Sequence, residues 1–149
     1  MKNILYTIIL SFLLLSCSDD KEVTAYKETK ALAEQGDAKA QHILGRMYVN
    51  GVGVTQDVKE AVKWWRLAAE QGHLIGQAAL CIMYDKGEGV KQDHIIAYMW
   101  CNVTDTTGGI DLSNLDTRTK LVKKMTSEQI AEAQKLANEC IKKNYKDCG

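Results

Sequence analysis

The chain repeats itself with a period of 36 residues, and this repeat limits the possible folds more than any other feature of the sequence. Shifting the sequence by one period aligns Gln35–Arg66 with Gln71–Asn102. The two copies are identical at 13 of 32 aligned positions, where chance gives about two. A supersecondary unit that recurs in this way buries its apolar face by stacking on its neighbour. The sequence therefore predicts a solenoid.

Each copy has the pattern of two helices joined by a glycine turn. In the first copy, apolar residues recur every three or four positions over Ala38–Val49, which indicates one helical face. The segment Asn50–Gly53 then ends this first helix, because glycine readily adopts left-handed conformations. Asp57 is a good N-cap for the second helix, with Glu60 at the capping-box position, and Gly72 ends it. Each unit is therefore an αα-hairpin.

Helical patterns continue before the first copy. The segment Ala25–Gly36 matches the second half of a unit, Ala61–Gly72, through the shared residues Ala33–Gly36. This match predicts a lone helix that caps the N-terminal end of the solenoid.

After the second copy the pattern departs from the repeat. Val103–Asn114 has a polar, glycine-containing sequence that predicts a loop. Two further helices are predicted, over Leu115–Lys124 and Ser127–Asn144. The second begins with a Thr-x-x-Gln capping box at Thr126–Gln129, and its apolar stripe would close the open end of the solenoid.

The repeat elements resemble a known family. Ala40–Gly72 carries in order the elements Leu-Gly-x-Met-Tyr, Gly-x-Gly-Val, Asp and Ala-x-x-Trp, and resembles the Sel-one-like repeat (SLR), a relative of the tetratricopeptide repeat (TPR). Gln77–Asn102 resembles it too, with Cys81 in place of the glycine. The resemblance covers Ala25–Thr104. It implies an all-α fold, a short right-handed αα-hairpin solenoid of SLR/TPR-like repeats with a C-terminal capping helix.

The N-terminus has the plan of a signal peptide. Lys2 makes its start positive, and Ile4–Leu15 is mostly apolar. Twelve helical residues reach about 18 Å, short of the ~30 Å hydrocarbon core of a bilayer. The segment therefore favours a cleaved signal peptide over the alternative, a short membrane anchor that stays attached.

The sequence Leu-Leu-Ser-Cys that ends at Cys17 resembles the lipobox of bacterial lipoproteins. This resemblance implies cleavage before Cys17 and attachment of lipid there, which would anchor the chain to a membrane facing the periplasm. Because Ser18 rather than an aspartate follows the cysteine, the resemblance favours the outer membrane over the inner membrane.

Four cysteines remain after Cys17 is set aside, which is an even number in a chain predicted to be exported. Cys81 and Cys101 are centred on the turn of the second hairpin, so they are predicted to face each other. Cys140 and Cys148 can pair only if the last helix stops and the chain folds back. The alternative is that all four are free thiols.

These observations divide the chain into six predicted segments. They are a signal peptide (1–16), a lipidated tether (17–22), an N-terminal capping helix (23–36), SLR repeat 1 (37–72), SLR repeat 2 (73–105), and a loop with C-terminal capping helices (106–149).

The resemblance implies a curved face, lined mainly by the first helix of each unit, that binds a protein partner. Positions where the two copies differ on that helix are the predicted partner-binding residues. They are Lys39, His42, Ile43, Arg46, Asn50, Ile75, Ala78, Ala79, Ile82, Asp85 and Lys86. The alternative is that Ile75 and Ile82 simply pack on the C-terminal helices.

No residue pattern predicts catalysis, a metal or a cofactor. His42, His73 and His94 lack the short spacing of a zinc site, and no nucleophile motif with a base is present. The tryptophans at the repeat positions are interpreted as core residues. Charge also excludes a nucleic-acid partner, because 18 Lys+Arg (19 minus Lys2) and 19 Asp+Glu are interspersed without a basic stripe.

The predicted function is therefore a membrane-anchored, exported helical-repeat module for protein–protein interaction in the bacterial envelope. Two alternatives follow from the resemblance. One is an immunity-type lipoprotein that neutralises a toxin. The other is a weak penicillin-binding or β-lactamase-like enzyme of the cysteine-rich SLR type, although no Ser-x-x-Lys motif with a Lys-Thr-Gly partner is present.

Overall fold

The computed structural model describes residues 20–106 and 117–149, apart from the side chains of residues 105 and 106. These ranges are helical and contain no strand. The helices are α1 (residues 20–34), α2 (Ala38–Asn50), α3 (Val58–Ala69), α4 (Leu74–Lys86), α5 (His94–Thr106), α6 (Thr117–Lys124) and α7 (Ser127–Lys142). Helices α2 to α5 pack in chain order, and α7 packs on α5. The architecture is the predicted helical solenoid.

The period of 36 residues recurs in the contacts between units. The side-chain amide of Gln41 donates to the carbonyl of Ala33 at 3.2 Å, and that of Gln77 donates to Ala69 at the same distance. Each of these buried bonds joins the first helix of a unit to the helix before it. Identical residues in the two copies therefore make identical connections between layers.

The turns within the two hairpins are also equivalent. Gln56 donates to the carbonyl of Val49 and Gln92 to that of Asp85, both at 2.6 Å. Asp57 caps α3 by accepting from two backbone N–H groups, and Asp93 does the same for the first turn of α5. The predicted N-cap role of Asp57 is confirmed.

Glu60 does not complete the capping box that its position predicts. Its carboxylate pairs with Lys63 one turn further along α3. The cap of α3 therefore depends on the Asp57 side chain alone.

The N-terminal helix docks on the turn of the first unit. An ideal Cβ on Gly53 would clash with the carbonyl oxygen of Glu22, and one on Gly89 would lie 2.6 Å from that of Val58. Glu22 and Val58 are one period apart, so α1 occupies the place that α3 occupies in the next unit. The helix includes residues 20–22, which the sequence predicted as part of the tether, because this docking extends helical structure towards the N-terminus.

Helix α5 is longer than the sequence predicted. Val103 and Thr104 were expected in a loop, but they are helical and fully buried. The hydroxyl of Thr104 donates to the carbonyl of Trp100 at 2.9 Å, which satisfies this polar group inside the helix. Burial against the core therefore overrides the polar local sequence. The rest of the predicted loop, residues 107–114, lies outside the described residues.

The core is continuous from α3 to α7. Trp100 is fully buried at its centre, and Trp65 is 5% exposed. The interpretation of these two tryptophans as core residues is confirmed. A smaller cluster of Ala33, Ala40 and Leu44 joins α1 to α2.

Both predicted cysteine pairs lie at disulfide distance. The Cα atoms of Cys81 and Cys101 are 5.4 Å apart, and those of Cys140 and Cys148 are 5.3 Å apart. The second pair forms because α7 ends at Lys142 and the chain turns back through residues with positive φ, among them Asn144. Two disulfides indicate an oxidising, extracytoplasmic location.

The first disulfide replaces a different contact in the first unit. There Gly45 faces the indole of Trp65, and a Cβ on that glycine would lie 2.5 Å from the ring nitrogen. The indole N–H donates to the carbonyl of His42 at 3.1 Å. The same packing position is therefore filled by a glycine–tryptophan contact in the first unit and by the Cys81–Cys101 bridge in the second.

The capping box of α7 is present as the sequence predicts. The Thr126 hydroxyl accepts from the N–H of Gln129 at 3.3 Å, and the Gln129 side chain accepts from the N–H of Thr126 at 2.9 Å.

We expect Thr126→Ala to lower the free energy of unfolding by about 1 kcal/mol, because it leaves a helix donor unsatisfied. Thr126→Ser retains the hydroxyl and is the matched control in urea denaturation. Equal losses in both variants would contradict a capping role.

Candidate functional site

The exposed residues of α2 form one stripe. They are Lys39, Ile43, Arg46 and Asn50. Their spacing of four, three and four residues places them on one face of the helix, over roughly 16 Å. All four belong to the set that the sequence predicts for partner binding. We call these four residues the α2 stripe.

A shallow hollow of about 240 Å³ lies along the α2 stripe. It is lined by three residues of the stripe and by Met47 and Val52. Ile43 is 38% exposed beside it. The site therefore combines an accessible apolar side chain with two cations and an amide.

The equivalent stripe of α4 is partly covered. Ile75 is 48% exposed and Lys86 is exposed, but Ala79 and Ile82 are only partly accessible. Helix α6 packs on α4, and the carboxylate of Asp85 accepts from Lys124 of α6 at 2.8 Å. In the second unit, the C-terminal part of the chain therefore covers part of this face.

Three residues of the predicted set offer little surface to a partner. His42 and Ala78 are buried, and the side chain of Asp85 is 13% exposed and paired with Lys124. Their positions on the helix do place them near the predicted face, but neighbouring elements cover them. The alternative interpretation, in which Ile75 and Ile82 pack inside the protein, applies to only one of the two. Ile82 packs against the core cluster, whereas Ile75 remains accessible.

A stacked pair of histidines joins the two units. The rings of His42 and His73 are 5.1 Å apart between centroids and nearly parallel. Nδ1 of His73 accepts from the N–H of Gly76 at 3.2 Å and so caps α4. Local sequence patterns did not predict this role. The repeat contains a signal for it, because His73 lies one period after Asp37, which caps α2 through its carboxylate.

Burial lowers the pKa of both histidines below the ordinary value. For His42, burial is the main cause and the nearby His73 and Arg46 lower the pKa further. For His73, burial dominates, and the carboxylate of Asp37 opposes it. The folded protein therefore favours the neutral rings, and the cap on α4 requires an unprotonated Nδ1 on His73.

We expect the stability of the protein to fall as the pH decreases from 7 to 5. The unfolded chain binds protons on these rings near pH 6.5, whereas the folded chain resists them. The stabilisation is therefore complete above the ordinary histidine pKa and is lost as the pH falls through the lowered values. Melting temperatures measured across this range test the expectation.

The control is the double variant His42→Gln/His73→Asn, which removes both titrating groups and keeps a capping side chain before α4. Its melting temperature should depend less on pH between 7 and 5 than that of the parent protein. An unchanged slope would show that other groups cause the pH dependence.

No three His, Cys, Asp or Glu side chains converge as metal ligands within residues 20–106 and 117–149. In the same described ranges, no helix has both the length and the apolar character needed to cross a membrane.

Comparisons with known proteins agree with the repeat geometry. A family model of the Sel1 repeat matches residues 38–73 and 74–102. A search of the curated proteins found no match to the chain.

The solved structures that are similar to the chain include the following two. One is a protective antigen present in uropathogenic Escherichia coli strains and displaying an SLR fold, with 30% identity and a TM-score of 0.79 over 88% of this chain. The chain spans only 28% of the antigen's length. The other is a Sel1 repeat protein from Oxalobacter formigenes, with 26% identity and a TM-score of 0.52, covering 73% of this chain and 96% of that one.

Proteins built from Sel1 repeats are generally non-catalytic scaffolds for protein–protein interaction. The resemblance found in the sequence, the hairpin geometry and the similar structures all point to the same family. Residues 38–102 therefore form two Sel1 repeats, and the chain has the SLR fold.

Proposed function

We propose that this chain is an exported, membrane-anchored module that binds a protein partner in the bacterial envelope through the α2 stripe. The observation that carries the proposal is the accessibility of this stripe, which keeps Ile43 open to solvent between two cations. Exposed apolar surface is typical of interaction sites where several side chains contribute to one patch. Ile75 is accessible on the first helix of the second unit, and we expect it to extend the surface towards that unit.

The anchoring part of the proposal rests on the sequence. Residues 1–16 have the plan of a signal peptide, and Cys17 stands where the lipobox pattern places the lipidated cysteine. The two disulfides support export, because they persist in oxidising compartments. A lipid at Cys17 would keep the repeats close to the membrane surface, with the outer membrane favoured over the inner.

Site-specific photocrosslinking in living cells tests the binding surface. A photoreactive amino acid is placed in the full-length chain at Ile43 and Ile75, and at the exposed Lys59 of α3 as a control. We expect the first two positions to crosslink to the same protein, identified by mass spectrometry, and Lys59 not to do so. Crosslinks from Lys59 alone, or none from either isoleucine, would contradict this surface.

The variant Cys17→Ala tests the anchor. We expect the parent protein to fractionate with membranes and to carry a lipid mass at its N-terminus, and we expect the variant to lack both. Membrane fractionation that is unchanged in the variant would show that another segment holds the chain.

A further inference from the structure

We infer that the α2 stripe recognises an acidic segment of the partner protein, in which carboxylates flank one aliphatic or aromatic side chain. This inference rests on the proposed function and specifies the chemistry of the partner. It is based on the charge, spacing and accessibility of the four residues of the stripe.

The charge of the stripe is entirely positive. Helix α2 contains Lys39 and Arg46 and no aspartate or glutamate. Within the described ranges neither cation forms an ion pair. The carboxylate at the edge of this helix, Asp37, accepts from the N–H of Ala40 at 2.6 Å as the N-cap. Both cations are therefore available to carboxylates of a partner.

The spacing places the apolar side chain between the two cations. Lys39 precedes Ile43 by four residues and Arg46 follows it by three, so the three side chains are neighbours along one helical face. The hollow beside Ile43 has further apolar lining from Met47 and Val52. A segment that inserts one apolar side chain there can direct carboxylates to the guanidinium and the ammonium group. Arg46 can bind a carboxylate through two parallel hydrogen bonds.

The second unit lacks this combination. The positions equivalent to Lys39 and Arg46 are Ile75 and Ile82, and the carboxylate of Asp85 is held by Lys124. Recognition of acidic groups is therefore assigned to the first unit, and Ile75 contributes apolar contact only.

A membrane surface fits the stripe less well than a protein. Electrostatic binding to anionic lipid headgroups typically uses clusters of about four to eight cations, whereas the stripe has Lys39 and Arg46. A concave hollow beside one isoleucine suits a single protruding side chain and not a flat bilayer. Binding to anionic vesicles is therefore an outcome that the test must distinguish.

Selection from a random-peptide display library against the purified full-length protein tests the inference. The same selection is made against Lys39→Glu/Arg46→Glu and against the matched control Lys135→Glu/Lys142→Glu, in which two exposed lysines of α7, also seven residues apart and without an ion pair in the described ranges, undergo a comparable change of charge. We expect the parent protein and the control to enrich peptides with Asp or Glu on both sides of an apolar residue. Circular dichroism verifies that both variants are folded.

An enriched peptide then serves as the probe in fluorescence anisotropy. We expect its dissociation constant to increase at least about tenfold in Lys39→Glu/Arg46→Glu, and to increase with salt concentration in the parent protein. Peptides without acidic residues, equal affinity for the parent and this variant, or a failure to enrich any sequence would overturn the inference. Sedimentation with phosphatidylglycerol vesicles that depends on Lys39 and Arg46, with no acidic peptide enriched, would overturn it in favour of a membrane surface.

Failure of the inference can be separated from failure of the proposed function. If crosslinks from Ile43 capture one protein equally well with and without the substitutions Lys39→Glu/Arg46→Glu, that result would support the proposed binding surface and would contradict the inference that it binds an acidic segment. If Ile43 and Ile75 capture nothing, the proposed function itself fails.

Discussion

The substitution Gly89→Ala is expected to lower the free energy of unfolding by about 4 kcal/mol, from a left-handed backbone conformation and an overpacked contact together. Gly89 has a φ of +72°, which disfavours any residue with a Cβ. The new Cβ would also lie 2.6 Å from the carbonyl oxygen of Val58 at the start of α3. A main-chain oxygen cannot rotate away, so the hairpin turn and α3 must separate. Urea denaturation of the purified full-length chain measures this loss.

Gly36→Ala is the matched control for this prediction. Gly36 has a φ of +95°, but no atom lies within 4 Å of its ideal Cβ position. The control therefore carries the backbone strain without the contact, and we expect a loss of roughly 1–2 kcal/mol. Similar losses at the two positions would show that close docking of the turn on α3 contributes little.

Removing the Cys81–Cys101 bridge is the second large effect. We expect Cys81→Ala/Cys101→Ala to lower the free energy of unfolding by about 3 kcal/mol, because the bridge restricts the unfolded chain over a separation of 20 residues. Both cysteines are 2% exposed and lie in the main core, so the variant also loses packing there. Urea denaturation under non-reducing conditions measures the change.

The second bridge supplies the comparison. Cys140 and Cys148 are separated by 8 residues at the C-terminal end, so Cys140→Ala/Cys148→Ala should cost less than the first double variant. Reduction of the parent protein with dithiothreitol should lower stability at least as much as loss of the first bridge alone. A parent protein whose stability is insensitive to reduction would contradict both contributions.

The two units share one sequence pattern but differ in what covers them. Helix α6 ties to the second unit through Lys124 and Asp85, and no equivalent element covers α2 within the described residues. The first unit is therefore the better candidate for partner contact, although the sequence alone predicts partner-binding residues in both units. This difference is the structural basis of the proposed surface.

Much of the fold could be predicted from the sequence because its signals are local. The glycine turns, the Asp57 cap and the box at Thr126 each depend on residues within one helical turn or one hairpin. The period of 36 residues then predicts stacking, since identical residues such as Gln41 and Gln77 must meet identical neighbours. The pairing of Cys81 with Cys101 followed from the symmetry of the hairpin, whereas the pairing of Cys140 with Cys148 depended on a chain reversal that the structure shows after Lys142.

The extent of burial could not be predicted in the same way. Val103 and Thr104 have a polar, loop-like sequence context, yet they continue α5 because the core covers them. His42 has the sequence position of a surface residue, yet the ring of His73 covers it. Each outcome depends on a residue or an element that is distant in sequence, and no local pattern contains that information.

By itself, the sequence determined the helical hairpins, most of their caps and their period, and it made two cysteine pairs candidates for disulfides. The tertiary structure decided which residues of the first helices remain accessible, with Lys39, Ile43 and Arg46 open and Asp85 engaged by Lys124. The physical reason is the range of the interactions. Helices and turns form from contacts between residues close in sequence, whereas accessibility depends on where α6 and the neighbouring unit come to lie after the chain has folded.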